Sequence, residues 1–189
     1  DKFALSRHWF FASATKKFGQ SVAEGPMAVL RIVSVFFLVS VFWALFDQHS
    51  SSWIRQAQQM NRDVNLPILG QTTLLASQIP ALNPLMVMLL IPFTTFLFYP
   101  LMEKVGLKLT PLRKMSVGML VAASAFGIVA VIQGWIEAGA ASGQKVDIIW
   151  QVIPYLVMTQ AEVMVSITGL EFAYTQAPTR MKSTLMGFW

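Results

Sequence analysis

The sequence has no cysteine, which excludes disulfides and thiolate metal sites. Charge is almost as scarce: 12% of the 189 residues are Asp, Glu, Lys or Arg, where soluble domains carry about 25%. No HExxH, Walker loop, His/Cys cluster or Ser-His-Asp order occurs, so nothing supports an embedded enzyme. No metal or organic cofactor is expected. Asp1-Lys2 leads into a mixed segment rather than an apolar stretch ending in small residues, so no cleavable signal peptide is expected. Lacking an initiating Met, the sequence is expected to be an excerpt of a longer protein.

What is abundant is apolar surface, with 55% hydrophobic residues and a mean hydropathy of +0.57. It falls into long stretches at about 27–53, 77–102, 115–136 and 148–177, with another opening at 183–189. Crossing a bilayer takes about 20 predominantly apolar residues, so each of the four can span one. The fold expected is all-α: a polytopic membrane helical bundle. A soluble bundle fits poorly, because the third stretch is hydrophobic all round. Residues 1–26 interleave Lys2, Arg7, Lys16 and Lys17 with Phe3, Trp9, Phe10, Phe11 and Phe18. That pattern suits an interfacial helix or a cytoplasmic linker, which Gly25-Pro26 is expected to end. A turn around Pro67-Ile68-Leu69-Gly70 is expected before the second span.

The net charge of +5 could suggest nucleic acid, but the cations sit between apolar spans and read as topology signals, so no nucleic-acid partner is expected. If the spans alternate, eleven of the fourteen Lys and Arg residues fall on one side: Lys2, Arg7, Lys16, Lys17, Arg31, Lys104, Lys108, Arg113, Lys114, Arg180 and Lys182. Arg55, Arg62 and Lys145 fall on the other. This positive-inside bias places the N-terminal segment in the cytoplasm of a multi-pass cell-membrane protein.

Polar residues inside the spans carry the functional argument. Glu162 lies near the middle of the fourth span, where an ionisable group costs roughly 3 kcal/mol by insertion scales and so should face a cavity or a partner. Ser166 is four residues on and Thr159 three before, on the same helical face. Glu171 falls about 180° away, which argues against a carboxylate dyad. Asp47, one turn from Trp43, is either a second buried acid or a helix end already in water. His49 falls on roughly the opposite side and is expected at the mouth of the lumen. Asn83 sits beside Pro84, with Pro92 further on; proline frees backbone carbonyls and bends helices, so Asn83 is a cavity-facing amide or an interhelical tie. Span three, rich in Gly and Ala, is expected to pack without carrying a site. Together these groups suit a solute cavity near mid-membrane.

Three motifs carry a resemblance. Phe42-Trp43-Ala44-Leu45-Phe46-Asp47-Gln48, Asn83-Pro84 with Pro92-Phe93, and the run from Glu162 to Pro178 with Met181-Lys182-Ser183 resemble the C-terminal half of the proton-dependent oligopeptide transporter family, within the major facilitator superfamily. The match covers about Gly25 to Trp189, the family's seventh to tenth helices and the start of the eleventh. The resemblance implies proton-coupled symport of di- and tripeptides by alternating access between two six-helix halves, with the N-terminal half of the same transporter as partner. It implies that Asp47 takes part in proton coupling, facing a basic residue of the other half; many relatives carry Glu there. It implies that Glu162 binds the peptide amino terminus and that Asn83 contacts the peptide near it. Trp43, Phe46, Gln48, Ser166 and Trp189 match positions around the side-chain pockets. A different solute such as nitrate, or a non-transporting membrane scaffold, is the alternative.

Overall fold

The computed structural model describes residues 12–13, 16–17, 20–66, 70–177 and 182–189. Expectations resting on residues 1–11, on the turn at 67–69 and on 178–181 lie outside the described residues, as does the side chain of Arg31.

The all-α expectation holds for the spans. Helix α1 (Gln20–Phe46) is followed by a 3₁₀ turn (Asp47–Ser50) and α2 (Ser52–Gln58). After short 3₁₀ turns at Ala76–Gln78 and Pro80–Leu82 come α3 (Asn83–Phe93), a π turn (Thr94–Phe98) and α4 (Tyr99–Lys104). Helix α5 runs unbroken from Pro111 to Ser142. A 3₁₀ turn (Ile148–Gln151), α6 (Val152–Glu162), a second π turn (Val163–Ile167) and α7 (Thr168–Gln176) follow, and α8 covers Lys182–Phe188. Four stretches are long and apolar enough to cross a membrane: Ile32–Gln58, Ala76–Lys104, Pro111–Ser142 and Ile148–Gln176, here spans one to four.

Several boundaries differ from the sequence reading for local reasons. Helix α1 continues through Gly25-Pro26, which therefore does not end the first segment. Pro84 lies in the first turn of α3, where its missing N–H would be unpaired anyway, so it starts the helix instead of bending it. The π turn at Thr94–Phe98 lies between Pro92 and Pro100, each of which removes a donor from the helical ladder. Helix α5 overruns its expected end to Ser142 and stops at Gly143, whose φ of +73° is the left-handed conformation glycine adopts freely. There Gln144 N–H reaches back to Gly139 C=O at 2.9 Å, closing the helix end.

A small antiparallel hairpin, β1 (Asp63–Leu66) on β2 (Gly70–Thr73), was not expected. Asp63 pairs with Thr73 and Leu66 with Gly70 in register. Asp63-Val64-Asn65-Leu66 alternates polar and apolar with period two, and Val64 is buried. Just before it, Asn61 N–H bonds Val146 C=O at 2.8 Å, and Ile148 N–H bonds Asn61 C=O at 2.9 Å. The Asn61 amide also donates to Asp147 Oδ1 at 2.7 Å.

The chain forms two compact units, Val41–Thr168 and the paired segments Asp1–Ser40 and Gly169–Trp189. In the first, α5 packs along α6 and α3 packs on α6. Helix α5 buries Met115, Gly118, Ala122, Ala125, Ile132 and Ile136, one stripe at three- and four-residue spacing. Leu120 and Val131 stay exposed on its other faces, as lipid contact allows. A Cβ at Gly118 would lie 2.7 Å from Val165 Cγ2 and 3.3 Å from the Ala161 carbonyl, so only glycine permits this approach. In the other unit, Val29, Ile32, Ala173, Ala177 and Leu185 form the core, with Phe36 against it.

Candidate functional site

Glu162 closes α6, immediately before the π turn, and is half-buried. The Asn83 amide, first residue of α3, donates from Nδ2 to Glu162 Oε2 at 3.2 Å. Thr159, fully buried one turn before Glu162, donates from its hydroxyl to Asn83 Oδ1 at 2.6 Å. The same hydroxyl lies 2.8 Å from the Tyr155 carbonyl on its own helix. Of the two readings open for Asn83, the interhelical tie is therefore present, and its partner is the acid itself. A second polar tie joins the same spans: Thr94, buried at the start of the first π turn, exchanges hydrogen bonds with the Gln160 amide at 3.1 and 2.9 Å.

The floor of this cluster is aromatic. Tyr155 is buried and its hydroxyl donates to the His49 carbonyl. The His49 ring stands 4.4 Å from Phe46 and 5.7 Å edge-on from Tyr155, centroid to centroid. Its Nδ1 donates to the Phe46 carbonyl, and Nε2 pairs with the Ser50 hydroxyl at 3.1 Å. His49 is thus buried and not at the mouth of a lumen. The α-helix ends at Phe46, and in the 3₁₀ turn that follows residues three apart eclipse one another, so Phe46 and His49 share the inward face.

The same turn sends Asp47 and Gln48 outward, where both are exposed. Trp43 is half-buried, edge-on to Phe42 at 5.6 Å and to buried Phe46 at 5.4 Å. Ser166 lies within the second π turn, half-buried. Trp189 belongs to the other unit, where its ring packs edge-on against Phe36 at 5.1 Å. The structure therefore brings Asn83 and Glu162 together and joins Trp43 to Phe46, while Asp47 and Gln48 stand apart on an exposed turn. Surface hollows of about 420, 350 and 480 Å³ are lined by Glu103 with residues 106–110, by Gln59 with Ile136, Ala140 and residues 143–146, and by the hairpin. Neither Asp47 nor Glu162 lines any of these three. Thr159 was legible only as a neighbour of Glu162; its three-residue spacing on the same face was the signal. Among the described residues no group of three or more His, Cys, Asp or Glu is placed to hold a metal.

Four membrane-length helical stretches and an acid held by amide and hydroxyl between two of them define a multi-pass membrane protein. A family model described as the POT family matches residues 8–189. Human Solute carrier family 15 member 2 is 34% identical over 166 residues, 87% of this chain and 22% of that protein. Peptide transporter 3 of Caenorhabditis elegans is 36% identical over 126 residues, 67% of this chain and 17% of that protein. The in meso crystal structure of the POT family transporter PepTSo superposes with a TM-score of 0.79 at 44% identity, covering 93% of this chain and 32% of that one. An auto inhibited POT family peptide transporter gives 0.75 at 41% identity, covering 96% of this chain and 33% of that one. The chain belongs to the POT family, the family its motifs resemble. It spans about a fifth of the length of these curated relatives and about a third of the solved transporters.

Proposed function

We propose that this chain supplies part of the C-terminal half of a proton-coupled symporter of di- and tripeptides, with its N-terminal segment on the cytoplasmic side of the cell inner membrane. The whole transporter would work by alternating access against an N-terminal six-helix half. Family membership supports this reading, and so do two relatives and neighbours described as peptide transporters. The observation that carries it is the state of Glu162. Its Oε2 takes the Asn83 amide, while its Oε1 accepts no hydrogen bond among the described residues. A carboxylate so placed is open to an ammonium, and in low dielectric that attraction is strong. Asn83 would contact the peptide near the same amino end. Trp43, Phe46, Gln48, Ser166 and Trp189 would shape the side-chain pockets.

Asp47 would take part in proton coupling. Exposed at the end of span one, it is free to face a cation from the other half, and exchange of a proton for that partner would favour one conformation over the other. Uptake of labelled dialanine by the full-length protein in proteoliposomes tests the reading. We expect accumulation that requires an inward proton gradient; no dialanine uptake with a gradient imposed sinks the proposal, and nitrate uptake in its place would point to the other solute. Asp47→Asn should abolish uphill accumulation, and if it still concentrates dialanine the role of Asp47 is wrong. Glu162→Gln should weaken binding of free dipeptides about tenfold or more, the scale of a charge-assisted hydrogen bond, and leave N-blocked dipeptides unchanged.

A further inference from the structure

The Thr159 hydroxyl has one proton and two oxygen acceptors in reach, Asn83 Oδ1 at 2.6 Å and the Tyr155 carbonyl at 2.8 Å, with the weak acceptor Met86 Sδ further off at 3.9 Å. Neither oxygen can donate. With the Asn83 amide pointing Nδ2 at Glu162, its oxygen faces Thr159 and the hydroxyl must donate to it. The two ends of a carboxamide are close to isosteric, so the reversed amide occupies the same space. Reversed, it turns its oxygen to Glu162 and its NH₂ to Thr159. The hydroxyl then accepts from Asn83 and sends its own proton to the Tyr155 carbonyl, the back-bond threonine makes in helices. An oxygen facing Glu162 is satisfied only if Glu162 is protonated and donates. Two complete hydrogen-bond networks therefore fit one set of heavy-atom positions, one for each charge state of Glu162.

We propose that Thr159 is the positioning residue of this site, and that its hydroxyl lets the Asn83 amide reverse as Glu162 gains or loses a proton. This deepens the peptide-binding reading and rests on it for its transport consequence, but the reversal itself does not depend on what is transported. Buried polar groups are costly when unpaired, and Thr159 is buried, so a hydroxyl that serves both arrangements removes that cost from each. The ammonium of a bound peptide selects the arrangement with ionised Glu162; the empty, protonated site selects the other. The surroundings keep the switch local. Helix α3 carries no charged residue, nor does span three between Met115 and Ile136. Among the described residues, His49 acts electrostatically on Glu162, and its ring is held by Phe46 and Ser50.

The test uses the full-length protein and two readouts. In pH-difference infrared spectra, an Asn side-chain carbonyl band, assigned by its loss in Asn83→Ser, should shift together with the carboxyl band that Glu162→Gln removes. Thr159→Val should abolish the coupled Asn83 shift, and Thr159→Ser, which keeps the hydroxyl, should restore it. In dialanine uptake, Thr159→Val should raise KM about five- to tenfold, the worth of one hydrogen bond, with kcat within twofold, and Thr159→Ser should return KM to within twofold of the parent. An Asn83 band that stays fixed while Glu162 titrates overturns the inference, whether or not the Val variant folds. Equal behaviour of the Val and Ser variants in both readouts overturns it as well. Absence of dialanine uptake by the parent counts against the peptide reading alone, since the infrared readout needs no substrate.

Discussion

Spans three and four lie side by side, and they are built in opposite ways. Span three is one helix of 32 residues, capped by a left-handed glycine and buried along a single stripe. Span four is assembled from a 3₁₀ turn, α6, a π turn and α7, with Pro154 near its start. In an 18-residue apolar window of each, more than half of the span four residues are buried, against little more than a quarter of those in span three. The polar residues follow the same division. Gln151, Thr159, Gln160 and Glu162 all lie on span four and reach to other spans or to the chain near them. An uninterrupted helix satisfies its own backbone and needs only small residues to pack; a broken one needs neighbours to complete it. Within the unit Val41–Thr168, the side chains of span four tie it to Trp53 of span one and to Asn83 and Thr94 of span two.

Three substitutions test whether this division is real. The largest effect should come from Gln56, on α2, whose amide joins the two spans. It donates to Val129 C=O and Gln133 Oε1 of span three at 3.0 Å each and accepts from Gln151 Nε2 of span four at 3.1 Å. Gln56→Leu strands the buried Gln151 amide and removes the half-buried ties to Val129 and Gln133, and should cost about 2–4 kcal/mol, read as a lower thermal midpoint of the full-length protein in detergent. A midpoint within a degree of the parent would mean the bridge carries nothing. Next, Gly118→Ala forces a methyl group into Val165 and the backbone of span four and should cost about 1–3 kcal/mol as overpacking. The smallest effect belongs to Gly127→Ala on the same helix, where a Cβ meets nothing within 4 Å. It should be neutral or slightly stabilising, by up to about 1 kcal/mol. If the two alanine variants unfold alike, close approach does not explain the glycines of span three.

Much of this was legible in the sequence because apolar length and charge distribution are strong, one-dimensional signals. Four spans could be placed from hydropathy, and the singular position of Glu162 was visible before any fold was drawn. What was not legible depends on which face meets a neighbour and on local breaks in the helices. Spacing put His49 and Asp47 on opposite faces but did not say which of the two turns inward; Phe42, Phe46, His49 and Trp53 form the buried stripe, and Asp47 is exposed. The π turns at Thr94–Phe98 and Val163–Ile167 likewise leave no periodicity to read over five residues. The hairpin was missed because four-residue strands give too few alternations to stand out from a polar loop. The pairing of Asn83 with Glu162 spans 79 positions, and no spacing rule within one helix reaches that far.

The bonds around Asn61 carry a mechanical consequence. They clamp the stretch leaving span one to the stretch entering span four, through two main-chain links and one side-chain link. Prising those two spans apart at this end would have to break the clamp first. While it stays closed, the tail of span one and the head of span four travel as a single hinge leaf.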